Sequence, residues 1–381
     1  MRALTLVQGS LFAVFVLGVA AAALSRIVPF HLPAGADWFD GKVAKAFESH
    51  YDERFPGRTL GTNIWAAIDY LLFDEGRPGV VVGRDDWLYT DEEFKTYPDA
   101  EASVATHLAL IPWVRDELAR HGTQLVVALV PSKARIYPEH IGARRPATLH
   151  DGLYDRARSA LLDAGIAAPD LARALDACKR ERASGPGVFL RTDTHWTPAG
   201  AQCAALALRA ATPVAALPGH GHSRAAAYRT RVERVAPHRG DLFSFLPLDP
   251  YFSALLPPAE EIEVRRTELA SATDVDGLLG DAAAPQVVLV GTSYSADARW
   301  NLTGALQEAL QGDVVNYAQV GKGPFEPMLD YLLNSDAVPA APRLLVWEIP
   351  ERYLPIAQDL RVERNTPTPA PCPRDGDQEA L

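Results

Sequence analysis

The sequence predicts an α/β fold, a parallel sheet sandwiched by helices. Three observations carry that expectation. Short apolar runs recur at Gln124–Val130, Val188–Leu190, Gln286–Val290, Asp313–Tyr317 and Arg343–Ile349, the composition of strands buried on both faces. Helical patterns lie between them, and strands alternating with helices favour parallel pairing. Two of the runs lead straight into segments rich in reactive side chains, at the strand ends where open α/β sheets bind ligands.

The elements follow in order. Met1-Arg2 precedes an apolar run from about Leu4 to Leu24, closed by Arg26. Its length of roughly 20 residues suits a bilayer-spanning helix. A transmembrane signal-anchor is therefore expected over residues 1–28, although the Ala20–Ala23 run would also suit signal-peptidase cleavage. On that reading residues 29–37 are a linker, and the rest of the chain lies outside the cytosol. From Trp38 to Leu72 the pattern is helical with a break at Pro56-Gly57, and Val80–Val82 with Trp87–Tyr89 reads as a hairpin. Helices are expected over 103–121 (kinked at Pro112 and stopped by Gly122), 154–164, 171–182, 302–310 and 327–334, and another beginning at Pro198. Residues 212–273 break the rhythm and read as an insertion or cap within a catalytic domain spanning 38–360. The Pro-rich residues 361–381 read as a disordered tail.

A net charge of −11 works against a nucleic-acid partner, which normally demands a basic patch or stripe. Cys178, Cys203 and Cys372 match no metal-site spacing. Cys203 lies on an apolar helical stretch and reads as a small core residue, while a Cys178–Cys203 bridge stays open.

The chemistry concentrates in two segments, Asp193-Thr194-His195-Trp196 and Gly291-Thr292-Ser293-Tyr294-Ser295. A serine on a turn after a buried strand can project its hydroxyl above the sheet, but it needs a base to become a nucleophile. His195 can be that base, and Asp193 can hold its tautomer. The same residues also suit a plain Gly-Thr-Ser turn and a helix N-terminal loop. His and Asp ligate metals too, but no third ligand stands at a recognisable spacing, so neither a metal nor a cofactor is expected. Trp196, Tyr294, Trp300 and Arg352 are candidate substrate contacts, with Trp347 a further candidate wall.

These two segments, together with Gly83–Tyr89, Val130–Arg135 and Trp347–Tyr353, resemble the signature blocks of the SGNH hydrolase-like domain in bacterial alginate O-acetyltransferases. The resemblance covers roughly residues 40 to 360. It implies Ser293 as nucleophile, His195 as base and Asp193 as its orienting acid. His195 precedes Ser293, the reverse of ordinary SGNH hydrolases, so the fold is expected to be circularly permuted. Asn316–Gly323 resembles the glycine-bearing oxyanion block, making the Ser293 N–H and an amide near Gly321 the oxyanion donors. Glu348–Arg352 stands where the hydrolases supply an asparagine. The resemblance further implies acetyl transfer to an exopolysaccharide acceptor, location at the inner membrane with the catalytic domain in the periplasm, and a multispanning membrane O-acyltransferase as acetyl supplier. A carbohydrate acetyl esterase and a non-catalytic polysaccharide-binding subunit are the competing readings.

Overall fold

The computed structural model describes residues 2–27, 30–31, 39–55, 57–182, 185–213, 216, 228–270, 286–333, 342–358 and 360. Most of the expected linker, all of the expected tail and Cys372 lie outside these residues.

Helix α1 (Arg2–Ile27) is followed by α2 (Lys42–Arg54) and α3 (Arg58–Phe73). Among the described residues no helix is long and apolar enough to cross a membrane, which overturns the expected transmembrane anchor over residues 1–28. The reason lies in the pattern rather than the length. The unbroken apolar run, between Ser10 and Ser25, covers only about 21 Å at 1.5 Å per residue, against about 30 Å of bilayer hydrocarbon. The tether to the inner membrane and the inner-membrane anchoring of a periplasmic catalytic domain fall with that anchor, and the multispanning O-acyltransferase partner, which the resemblance implied, is left without support.

Strands β1 (Val80–Val82) and β2 (Leu88–Thr90) pair antiparallel as the expected hairpin. Then come α4 (Ala100–Arg120), which holds Pro112 inside it, β3 (Gln124–Val130), and the helices α5 (Lys133–Ile136), α6 (Leu153–Asp163), α7 (Leu171–Glu181) and α8 (Pro198–Ala211). Pro198 opens α8 because its missing N–H costs nothing there, and Thr197 caps the helix by accepting the Gly200 N–H at 3.1 Å. A Cys178–Cys203 disulfide ties α7 to α8, so Cys203 is bridged rather than a free core thiol.

The expected strand at Val188–Leu190 does not form. The segment turns back on itself through one isolated antiparallel bridge, Phe189 to Trp196. Leu190 N donates to His195 O and Thr197 N to Val188 O, and Val188 N donates to the Tyr137 hydroxyl, so these backbone groups are spent away from the main sheet.

Residues 212–273 are not shapeless. Their described parts contain a long antiparallel ribbon, β4 (Tyr228–His238) with β5 (Glu260–Leu269). The chain closes with β6 (Val287–Val290), α9 (Ser293–Ala296), α10 (Leu302–Leu310), β7 (Val314–Asn316), α11 (Phe325–Leu333) and β8 (Leu344–Pro350).

The main sheet is parallel in the order β3-β8-β6-β7. Successive side chains on a strand point to opposite faces, and the core divides accordingly. Val126, Ala128, Val287, Leu289, Leu344 and Val346 meet the apolar sides of α7, α8 and α10. Val127, Leu129, Val288, Val290, Leu345 and Trp347 meet α4, α6 and α11. This is the three-layer sandwich the buried runs predicted. Trp347 lies wholly in the second layer, its indole N–H donating to Pro324 O, so it is core and not a cleft wall.

Candidate active site

Strand β6 stops at Val290, and the chain passes through Gly291 and Thr292 into α9, which begins at Ser293. The turn is built around Glu348, buried near the end of β8. Its carboxylate accepts the Thr292 N–H at 2.7 Å, the Thr292 hydroxyl at 3.0 Å and the Ser295 hydroxyl at 3.0 Å. A Cβ on Gly291 would stand 2.5 Å from that carboxylate, so only glycine lets the clamp close. Burial pushes the Glu348 carboxyl above its ordinary range, with the Thr292 and Ser295 donors opposing. The sequence placed Glu348 in a block without seeing this role.

Ser293 is half-buried, with its hydroxyl 2.7 Å from His195 Nε2. His195 Nδ1 lies 2.6 Å from Asp193 Oδ1, which also accepts the His195 backbone N–H at 3.0 Å. With the carboxylate ionised, the ring proton sits on Nδ1 and Nε2 offers its lone pair to the serine. The other Asp193 oxygen accepts from His238 Nε2 at 2.8 Å and from the Asp241 N–H at 3.1 Å. Burial raises the Asp193 pKa, but the hydrogen bonds from His195 and His238 outweigh it and hold this carboxyl well below the usual range. Asp241, its side chain still partly open to water, is pushed the other way by partial burial and by the Asp193 charge it faces.

His238 carried no signal in the sequence, being one histidine at the end of a polar strand. It is one of three supports contributed by the segment expected as an insertion or cap. Glu260 accepts from Arg191 N, Thr192 N and the Thr192 hydroxyl at 2.6–2.8 Å. Asp241 accepts the Thr194 N–H at 2.8 Å. From the opposite side the buried Lys133 ammonium donates to the carbonyls of Leu88, Arg191 and Asp193. The loop carrying Asp193 and His195 is thus gripped at nearly every residue.

The four candidate substrate contacts are all buried. Trp300 stacks on the His195 ring at 4.9 Å. The Trp196 indole donates to Tyr294 O at 3.2 Å. The Tyr294 hydroxyl donates to Thr194 O at 2.6 Å, and Arg352 links that hydroxyl at 3.0 Å to Glu92 at 2.9 Å. They stand behind the histidine and hold it. Among the described residues the Ser293 N–H has no acceptor, because the Thr292 hydroxyl takes the Tyr294 N–H instead. Gly321 is exposed at φ +78° on the loop after β7, and Gln319 N ties that loop to Gly291 O at 3.1 Å.

Asp193, His195 and Asp241 bring potential ligand atoms within 4.8 Å of one another. Each Asp193 oxygen already accepts two hydrogen bonds, so a cation there would have to displace the groups that orient the imidazole.

The profile of the SGNH hydrolase-like domain of the acetyltransferase AlgX matches residues 80–351, which hold both site segments. The chain belongs to that SGNH hydrolase-like acetyltransferase family. It is also 48% identical over 359 residues to the Pseudomonas aeruginosa protein named "Probable alginate O-acetylase AlgJ", covering 92% of this chain and 89% of that one. The P. aeruginosa alginate biosynthesis protein AlgX is more distant, at 28% over 279 residues, 72% of this chain and 56% of that one. Among solved structures, the O-acetyltransferase domain of Pseudomonas putida AlgJ superposes with a TM-score of 0.66 at 48% identity, covering 74% of this chain and 95% of that one. The chain is therefore an O-acetyltransferase of the family's AlgJ type.

Proposed function

We propose that the protein moves acetyl groups onto hydroxyls of an alginate-like exopolysaccharide through an acetyl-serine intermediate. The observation that carries this reading is the unbroken line from Ser293 Oγ through His195 to Asp193. Ser293 attacks the carbonyl of an acetyl ester while His195 Nε2 takes its proton. The imidazolium then protonates the departing alcohol, leaving acetyl on Ser293. A sugar hydroxyl next gives its proton to Nε2 and attacks the acetyl-serine. Collapse of that second tetrahedral adduct returns the proton to Ser293 Oγ. The N–H groups of Ser293 and Gly321 are the proposed oxyanion donors. Asp193 keeps the imidazole oriented and stabilises it while charged.

Water competes with the sugar at the second step at about 55 M, so the sugar must be held in line. Well-oriented groups reach effective molarities on the order of 10⁵ M. The test uses the purified chain, an activated acetyl ester and alginate oligomers, with acetate release and the mass of the oligomer followed together. Acetylated oligomer should accumulate faster than acetate. Ser293→Ala should abolish both products. Acetate release indifferent to every oligomer would make the protein an esterase instead.

A further inference from the structure

A cavity of about 720 Å³ lies behind the catalytic loop, bordered by Leu190, Arg191 and Thr197 of that loop. The volume falls in the range typical of small-molecule sites. In a chain of net charge −11, its lining gathers Lys179, Arg180, Arg182 and Arg191 against only Glu260 and Glu261. The apolar part of the floor comes from Trp87 and Phe189.

The charges are not equally committed. Lys179 donates to Ile136 O and pairs with Glu139, and Arg180 pairs with Asp176. Both Glu260 oxygens are taken up by the backbone and hydroxyl of the catalytic loop. Arg191 has only long ionic contacts, 3.6 Å to Glu260 and 3.9 Å to Asp86. The Arg182 side chain, half-buried, has no hydrogen bond or ion pair among the described residues. Two guanidinium groups with unspent donors therefore line one concave, apolar-floored space. A guanidinium presents its N–H groups as a planar fork that matches a carboxylate.

We infer that this cavity is a second saccharide site, taking a carboxylate-bearing sugar unit of the polymer while another unit is acetylated at Ser293. The inference rests on the acetyl-transfer reading for the polymer, but binding can be measured without turnover. One loop serves both places: Arg191 stands two residues before Asp193, so a chain seated in the cavity is held by the segment that carries the base.

The experiment is calorimetric titration of the full chain carrying Ser293→Ala with a uronate oligomer at low salt. A neutral mannose oligomer of equal length is the control. The uronate oligomer should bind and the neutral one should not. Adding Arg182→Ala should weaken binding about fivefold or more, and Arg182→Glu more than that, since a charge-assisted fork is lost and then opposed. In turnover by the chain that keeps Ser293, the same substitutions should raise KM for the long oligomer rather than lower kcat. Absence of binding by the parent, equal binding of the neutral oligomer, or an affinity indifferent to Arg182→Glu would each overturn the inference. Arg182-dependent binding with no acetyl transfer would remove the proposed function and leave the cavity standing. Transfer with a KM indifferent to Arg182→Glu would do the reverse.

Discussion

At the scale of single residues, Asp193 is held by two imidazoles, and only one of them reaches the serine. His238 donates to the oxygen that His195 does not use, so it fixes the carboxylate plane against which His195 is aligned. Losing one hydrogen bond to a charged group is worth about 1.5–3 kcal/mol, on the order of 10- to 100-fold in rate. His238→Ala should therefore lower kcat by that factor with little change in KM, and His238→Gln, which keeps a donor at the same reach, should recover much of it. Steady-state kinetics of both variants checks this; equal loss in both would make His238 a packing residue only. Lys133 offers a second test. Burial lowers its pKa from 10.5 to about 8, with Glu260, Glu93, Asp193 and Asp241 opposing. Between about 8 and the unfolded value near 10.4 the unfolded chain holds more protons, so stability contributed by this group rises with pH across that window. Lys133→Met removes a donor from three buried carbonyls, of which Arg191 O keeps the Leu88 N–H, and should cost about 3 kcal/mol or more. Urea unfolding from pH 7 to 10 should show the parent gaining on the variant as pH rises.

Among the elements, the catalytic loop depends on parts of the chain far from it in sequence. Its hydrogen-bond partners come from α5, β4 and the segment just after it, and the first residue of β5. The α7–α8 disulfide closes a 25-residue separation around that loop, and a loop of that size is worth roughly 3 kcal/mol in the chain-entropy account. The double variant Cys178→Ser/Cys203→Ser should lose about that much in urea unfolding, and adding reductant should weaken the parent and not the variant. The elements also show what a sequence can and cannot say. Strands β3, β6 and β8 were legible because both of their faces are buried and their apolar runs are nearly unbroken, while the half-buried edge strand β7 showed only through its Val314-Val315 pair. The β4–β5 ribbon was not. Arg229, Arg231 and Arg234 charge one of its faces and Glu261, Glu263 and Arg265 the other, so no apolar alternation marks it as strand. Ser293, His195 and Asp193 stood out through their motifs, whereas His238 and Lys133 act through backbone and carboxylate partners that no local spacing reveals. The apolar N-terminal run misled in the other direction, since its overall richness hid how short its unbroken part is.

For the molecule as a whole, the order β3-β8-β6-β7 makes β8 the strand through which β3 joins the rest of the main sheet. It pairs with β3 on one side and β6 on the other, and its Glu348 clamps the turn that presents Ser293. A chain ending at residue 341 should therefore lose far more than one strand. It should show no cooperative unfolding transition and be digested under limited proteolysis that the full chain survives. Translation meets the same dependence in time. Strand β3 is finished at residue 130 and β8 begins at 344, so at 5–20 residues per second its partner trails by roughly 10–40 s. Throughout that interval β3 offers an unpaired strand that is apolar after Gln124, the kind of surface on which nascent chains associate wrongly. The same delay acts as a proofreading step: until the last strand slides into the middle of the sheet, the ribosome has released no working serine.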